Sequence, residues 1–204
     1  MRLRAVLAAG VALGLGVGST VASWSDAELG VGVFAASRFV VQSNTQNAGW
    51  VDAPTAPGTS ISAGLGGMLP GSSVYFQVQL RASAGSVAGR TTLGGATIGA
   101  SGAAATTFGS ELQYRVVRTT GTCDATAFTG SSIYVVGNGA ATPVRRPLTS
   151  GQEVGVINPL LAATSSAPGA VTGYCFEVLL PTTSVSSSQG QSITATWRLQ
   201  SVSL

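Results

Sequence analysis

Apolar side chains recur at every second position along several stretches of this chain, and this spacing restricts the fold more than any other feature. In residues 74–80 the even positions are apolar and the odd positions carry Tyr or Gln. The same alternation appears in residues 112–116, 133–135, 176–180 and 193–199. Because successive side chains of a strand point to opposite faces, each run predicts a β-strand with one buried face.

Turn-forming residues separate these runs, which keeps the predicted strands short. Pro, Gly and Asn mark the breaks, at Pro54-Thr55-Ala56-Pro57-Gly58, Pro70-Gly71, Gly94-Gly95, Gly137-Asn138-Gly139 and Ala167-Pro168-Gly169. Many short strands with almost no helical stretch predict an all-β, jelly-roll-like β-sandwich.

Two interrupted segments fit this scheme less simply. Gly64-Leu65-Gly66-Gly67 has no following Lys and does not open a helix, so a flexible turn is expected there instead of a phosphate loop. Asn158-Pro159 splits the apolar pairs Val156-Ile157 and Leu160-Leu161, and this segment is consistent with either a strand end or a short turn of helix.

The N-terminus has the composition of a secretory signal. Arg2 and Arg4 precede a small apolar stretch over residues 5–18, which is shorter than the roughly 20 residues that a spanning helix needs. We therefore expect residues 1–22 to be a signal helix, cleaved between Ala22 and Ser23, and no permanent membrane anchor. Cleavage after Ser23 is the alternative.

Residues 23–204 form the expected mature chain, long enough for a single β-sandwich domain but not for two. They carry eight Arg and no Lys against seven acidic residues, which leaves a net charge near +1. The one pair of adjacent basic residues is Arg145-Arg146. Because nucleic-acid binding depends on many phosphate contacts, nucleic acid is not an expected partner.

Cys123 and Cys175 are the two cysteines of the chain. Export would place them where disulfides persist, and two cysteines permit one intramolecular bridge. Closing this loop stabilises a fold by roughly 3–4 kcal/mol on chain-entropy grounds. A redox or metal site would need a close second Cys or a His, and the sequence contains no His, so a structural disulfide is expected.

Catalytic chemistry has few candidate residues. Without His or Lys the chain cannot build a Ser-His-Asp triad, a Ser-Lys pair, a Schiff base or an H-E-x-x-H zinc helix. A glycosidase pair could draw on Glu111, Glu153 and Glu177, but Glu111 and Glu177 lie beside alternating apolar positions and are expected to face solvent. The calcium candidates do not cluster; they are Asp26, Asp52 and Asp124. We predict no enzymatic activity and no cofactor or metal.

The tryptophans are also candidates for an exposed platform on which the rings of a carbohydrate could stack. Trp24, Trp50 and Trp197 are scattered, and the alternation around Trp197 favours core or partly buried positions. Near the expected cleavage site, Phe34 and Phe39-Val40-Val41 form a strand candidate. It predicts either an edge strand that completes the sandwich or an assembly strand that pairs with another copy of the chain.

A series of motifs spans nearly the whole chain. In order they are Thr20-Val21-Ala22-Ser23-Trp24-Ser25-Asp26, Phe34-Ala35-Ala36-Ser37, Leu69-Pro70-Gly71-Ser72-Ser73-Val74-Tyr75, Thr122-Cys123-Asp124, Gly173-Tyr174-Cys175-Phe176 and Ser192-Ile193-Thr194-Ala195-Thr196-Trp197. Together they resemble the exported proteins with SipW-dependent-type signal peptides, which include the TasA-like biofilm fibre proteins and the camelysins. The chain is similar to the compact, cysteine-paired actinobacterial variants.

This resemblance implies a jelly-roll-like sandwich, processing by a SipW-type signal peptidase and a structural role at the cell surface or in extracellular matrix. It implies no catalytic site. The expected function is a secreted structural protein, a fibre subunit that self-associates by β-strand addition. The alternative is a monomeric secreted adhesion or glycan-binding module that uses loops and an exposed aromatic side chain such as Trp50.

Overall fold

Alternating burial along the strands brings two sheets together face to face. The computed structural model describes residues 36–52 and 59–204, and Ser37–Leu204 form one compact unit. The expected signal helix, the cleavage site at Ala22 and Ser23, and Phe34 lie outside the described residues. All pairings between the described strands are antiparallel, and the predicted all-β sandwich is confirmed.

The larger sheet has seven strands in the described part of the chain. They are β1 (Val41–Thr45), β2 (Val51–Asp52), β4 (Ser73–Ala82), β7 (Gln113–Arg118), β8 (Ile133–Val136), β9 (Arg146–Pro147) and β11 (Thr172–Leu179). Their order is β2-β1-β4-β11-β7-β8, and β9 also pairs with β7.

The smaller sheet has five described strands. They are β3 (Thr59–Gly66), β5 (Gly89–Leu93), β6 (Thr97–Ala100), β10 (Asn158–Leu160) and β12 (Ser192–Ser203). Their order is β10-β5-β12-β3, and β6 pairs with β12 on the side that β5 also occupies. One α-helix, α1 (Ala103–Glu111), and two short 3₁₀ turns, Ala125–Ala127 and Ser186–Ser188, complete the described elements.

An aromatic cluster joins the two sheets. Trp197 of β12 is fully buried, and its ring lies 5.4–5.6 Å from those of Phe76, Tyr114 and Phe176 in the larger sheet. Phe76 and Phe176 stack on neighbouring strands at 4.7 Å. Aromatic pairs at such distances stabilise a core beyond the area that they bury. The predicted core position of Trp197 is therefore confirmed.

The predicted alternation of facing is observed along β4, β7, β11 and β12, whose apolar positions face the core, although in β7 and β11 the intervening residues Arg115, Cys175 and Glu177 are buried as well. It fails in β8, where Ile133 is 54% exposed while Val135 and Val136 are both buried. The register between β7 and β8 shifts between Val116 and Val117. An irregularity of this kind inserts an extra residue and turns consecutive side chains toward the interior.

The undecided segment at Asn158-Pro159 is a strand end. Asn158–Leu160 form β10, which pairs with β5. The Asn158 side chain is fully buried, and its amide donates hydrogen bonds to the carbonyl of Thr91 and to Oε1 of Gln152. These bonds hold a short edge strand that contains a proline.

Two further expectations about secondary structure are wrong. Gly64-Leu65-Gly66 is not a turn, because these residues form the end of β3 and pair with Thr194, Ile193 and Ser192 of β12. Helix α1 was not expected, although Ala105, Phe108, Gly109 and Leu112 have helical spacing and are all buried. Gly109 permits close packing there, because a Cβ at this position would lie 3.2 Å from Cγ2 of Ile98.

Candidate functional site

Strand β3 has a long open edge in the smaller sheet. It pairs with β12 along its whole length, from Thr59 opposite Leu199 to Gly66 opposite Ser192, and no other described strand pairs with it. On the other side of β12, the Gly94 N–H donates to the Arg198 carbonyl at 2.9 Å. The backbone groups of Arg198 therefore point away from β3.

The strand alternation then fixes which backbone groups of β3 point outward. The odd-numbered residues of β12 bond to their partners Ile61, Ala63 and Leu65, so the even-numbered residues of β3 turn their N–H and C=O groups to the open side. These residues are Ser60, Ser62, Gly64 and Gly66. Sheet edges are commonly protected by charged side chains, proline or bulges, and β3 contains none of the three.

The other edges of both sheets are short or interrupted. Strands β2 and β9 have two residues each, and β9 ends in Pro147. Strand β10 has three residues and contains Pro159, and β8 has four. Within the described residues, β3 with its eight residues is therefore the edge that offers the longest continuous row of backbone groups.

The sequence-based assembly strand overlaps the folded domain. Val41 begins β1 and pairs with Ala82 of β4, and it is 8% exposed. Val40 accepts a backbone hydrogen bond from Ser83, and the ring of Phe39 packs against the core. Phe39, Val40 and Val41 thus lie beside their own sheet, as expected for a strand that completes the sandwich.

Glu177 does not face solvent, which corrects the expectation for this residue. It lies on the outer face of β11 and is 3% exposed, because distant segments cover it. Arg115 bonds to Oε2 of Glu177, and Arg145 donates to both carboxylate oxygens at 3.1 and 3.2 Å. The Tyr75 hydroxyl donates to Oε1 at 3.2 Å. The carboxylate is therefore saturated with local donors.

The electrostatics of this cluster favour an ionised carboxylate. Burial by itself raises the pKa of Glu177, but the hydrogen bonds and positive charges of Arg115 and Arg145 outweigh it and hold the pKa below its ordinary value. Two guanidinium groups around one carboxylate leave one positive charge in excess. This arrangement resembles a structural ion-pair network more than a proton donor poised near neutral pH.

The covering segment is the loop that joins β7 to β8, residues 119–132. The predicted disulfide between Cys123 and Cys175 is observed and fastens this loop to β11. The guanidinium carbon of Arg115 lies 4.6 Å from the centre of the Phe128 ring. The centres of the Phe128 and Tyr75 rings are 6.0 Å apart. The loop thus closes the outer face of the larger sheet above Glu177.

The remaining carboxylates considered for catalysis have separate partners. Glu153 receives two hydrogen bonds from Arg146, at 2.7 and 3.0 Å, and these lower its pKa. Glu111 ends helix α1 and accepts hydrogen bonds from the Ser188 hydroxyl and the Val185 N–H, which lower its pKa. Glu111 therefore lies at a helix end instead of on a strand surface.

The other candidate binding residues are dispersed. Asp52 bonds to Gln42 and Asp124 caps a 3₁₀ turn, while Asp26 and Trp24 lie outside the described residues. Within residues 36–52 and 59–204, no group of three His, Cys, Asp or Glu residues is arranged to hold a metal ion. Arg81 lies 4.0 Å above the ring of Trp50, so one face of that indole is covered.

Comparison with protein-family models, with curated proteins and with solved structures found no significant match. Helix α1, the α-helix of the described part, has nine residues, and no described helix is long and apolar enough to cross a membrane. Three features bear on function, and they are the open edge of β3, the covered face of the larger sheet and the sequence of the N-terminal segment.

Proposed function

We propose that this chain is a secreted structural protein of the cell surface or extracellular matrix, a TasA-like biofilm fibre subunit that self-associates by β-strand addition. The open edge of β3 is the observation that carries the proposal. A strand added to it could satisfy the outward N–H and C=O groups of Ser60, Ser62, Gly64 and Gly66. After export, cleavage between Ala22 and Ser23 by a SipW-type signal peptidase would release the mature chain.

The strand that we propose as donor is the segment before Ser37 of a second copy. Its sequence Leu29-Gly30-Val31-Gly32-Val33-Phe34 alternates apolar residues with glycine and contains neither charge nor proline. This composition is compatible with an extended strand that has one apolar face. Because Ser37–Leu204 form a compact unit, a donor that ends before Ser37 leaves the rest of the fold complete.

Truncation tests the donor. The mature chain from Ser23 is compared with a chain that begins at Arg38, both purified with the disulfide intact. We expect fibres from the longer chain by electron microscopy and a monomer from the shorter chain by sizing and light scattering. Adding a synthetic peptide of residues 23–37 to the shorter chain should yield a one-to-one complex. Equal polymerisation of both chains, or none in either, removes the proposal.

Substitution at one backbone donor tests the acceptor. Gly64→Pro removes an outward N–H from the edge of β3, whereas Gly64→Ala keeps it, and a Cβ at this position has no neighbour within 4 Å. We expect Gly64→Pro to raise the critical concentration for fibre growth at least tenfold and Gly64→Ala to leave it within twofold. If both variants assemble like the unmodified chain, β3 is not the acceptor.

A further inference from the structure

A polar groove crosses the outer face of the larger sheet. It has a volume of about 540 Å³, and its floor is the row of outward side chains on β4, Tyr75, Gln77 and Gln79. One wall is the turn that contains Gln46 and Asn47, and the other is the 119–132 loop at Thr120–Cys123. The floor runs over five residues from Tyr75 to Gln79, and these four steps cover about 13 Å at the rise of a β-strand.

Gln77 fixes both walls to the floor. Its carbonyl accepts the Gln46 N–H at 3.0 Å, and its side-chain amide donates to the Gly121 carbonyl at 2.9 Å. The disulfide of Cys123 fastens the same loop to β11. The width of the groove is therefore set by the protein before any ligand arrives, which reduces the entropic cost of binding.

The turn at Gln46 and Asn47 lines the groove with two side-chain amides, and its backbone is strained. Gln46 and Asn47 have φ of 50° and 60°, and they are the non-glycine residues with positive φ in the described part of the chain. Such strain at non-glycine residues concentrates at functional sites. Both side chains are exposed, and neither forms a hydrogen bond with another described residue. Because both residues line the groove, their amides can reach a ligand that is bound there.

The chemistry of the lining selects the ligand class. No charged side chain lines the groove within the described residues, and the nearby carboxylate of Glu177 is neutralised by Arg115 and Arg145. Amides and hydroxyls each offer donors and acceptors together, as sugar hydroxyls require. An extended peptide is less suited, because β4 already pairs with β1 and β11 and has no free backbone edge there.

We propose that this groove binds a neutral polysaccharide strand, with Tyr75 as the partly exposed aromatic side chain at one end. This site differs from the sequence-based candidate Trp50, which does not line the groove and has one face covered by Arg81. The amides of Gln46 and Asn47 give orientation and specificity, together with the groups of the Gln77 and Gln79 amides that are not already bonded to Gly121 and Asn44. A matrix subunit with this groove would hold glycan while its sheet edge joins other subunits.

Equilibrium dialysis tests the site, because it measures bound sugar whether the mature chain is monomeric or assembled. The probes are cellohexaose, laminarihexaose and maltohexaose, with hexagalacturonate and an eight-residue Ser-Thr peptide as comparisons. The binding variant is Gln46→Gly/Asn47→Gly, which removes two amides and relieves the positive φ, so it should fold at least as well as the parent. A second variant, Gln79→Leu, changes the floor. The matched control is Gln200→Leu, an exposed strand residue of the other sheet.

We expect at least one neutral hexasaccharide to bind, and both groove variants to weaken it at least tenfold while Gln200→Leu stays within twofold. Three results would overturn the proposal. They are no binding of any neutral hexasaccharide, equal or tighter binding of hexagalacturonate or of the peptide, and unchanged affinity in Gln46→Gly/Asn47→Gly.

Discussion

Glu177→Gln tests whether the buried carboxylate stabilises the fold through its charge. Gln keeps nearly the same shape but removes the negative charge from between two guanidinium groups. The Arg145 side chain is 18% exposed and can turn toward water, whereas that of Arg115 is 8% exposed and lies beneath Phe128. Removing one partner of a buried pair costs about 3–5 kcal/mol, because it leaves a buried charge uncompensated. We expect this loss in the free energy of unfolding at pH 7.

Urea unfolding, followed by fluorescence and circular dichroism, measures that loss. Glu153→Gln is the matched control, since the Arg146–Glu153 side chains are 45% and 31% exposed and such a pair contributes about 0.2–1 kcal/mol. The midpoint should fall sharply for Glu177→Gln and slightly for Glu153→Gln, with equal slopes. If both variants lose the same free energy, the buried network does not stabilise the fold as argued.

Lowering the pH removes the negative charge of Glu177 from the unmodified chain, because the carboxylate becomes protonated. The folded-state pKa of Glu177 lies below its ordinary value of 4.5. The ionised carboxylate therefore contributes stability that is fully present above that value and is lost as the pH falls through the folded-state pKa. The difference in unfolding free energy between the unmodified chain and Glu177→Gln should be largest near pH 7 and shrink below about pH 4.5. A difference that stays constant down to pH 2 contradicts this reasoning.

Three other substitutions probe the packing. Replacing both Cys123 and Cys175 by Ala opens a loop with a sequence separation of 52, and should lower the free energy of unfolding by about 4 kcal/mol in urea titrations. Gly173→Ala should lower the free energy of unfolding by about 1–3 kcal/mol, because the new Cβ would lie 1.9 Å from the Thr119 carbonyl oxygen. The displaced 119–132 loop should then show faster amide exchange, and unchanged exchange would contradict this. Phe108→Ala should cost about 3–5 kcal/mol by leaving a cavity under helix α1, and a thermal midpoint within 2 °C of the parent would refute that role.

The alternating strands were predictable because their burial depends on a local pattern. Phe76, Val78 and Leu80 in β4 and Trp197 in β12 face the core as their spacing indicates. The disulfide was predictable because two cysteines permit one intramolecular bridge. In both cases the sequence contains the physical cause of the observed structure.

Other features depend on contacts between distant segments, which a local pattern does not encode. Glu177 occupies an outward strand position, and its carboxylate is bonded by Tyr75, Arg115 and Arg145, which lie 102, 62 and 32 residues away along the chain. Gly64 and Gly66 have the composition of a turn, but pairing with β12 holds them in a strand. The groove likewise unites Gln46 with Gln77 and Gly121, which are far apart along the chain. Its candidate residues could not be found from spacing alone.

The spacing of outward backbone groups on β3 would make the positions of a strand that adds there, as proposed, discrete. Because only alternate residues present N–H and C=O groups to the open side, a strand that adds there can shift only in steps of two residues, or about 6.6 Å. Ser62, Gly64 and Gly66 offer little side-chain surface to distinguish one step from the next. The incoming strand must therefore supply the register, and a symmetric or glycine-rich one would give polymorphic fibres whose repeats differ by multiples of that step.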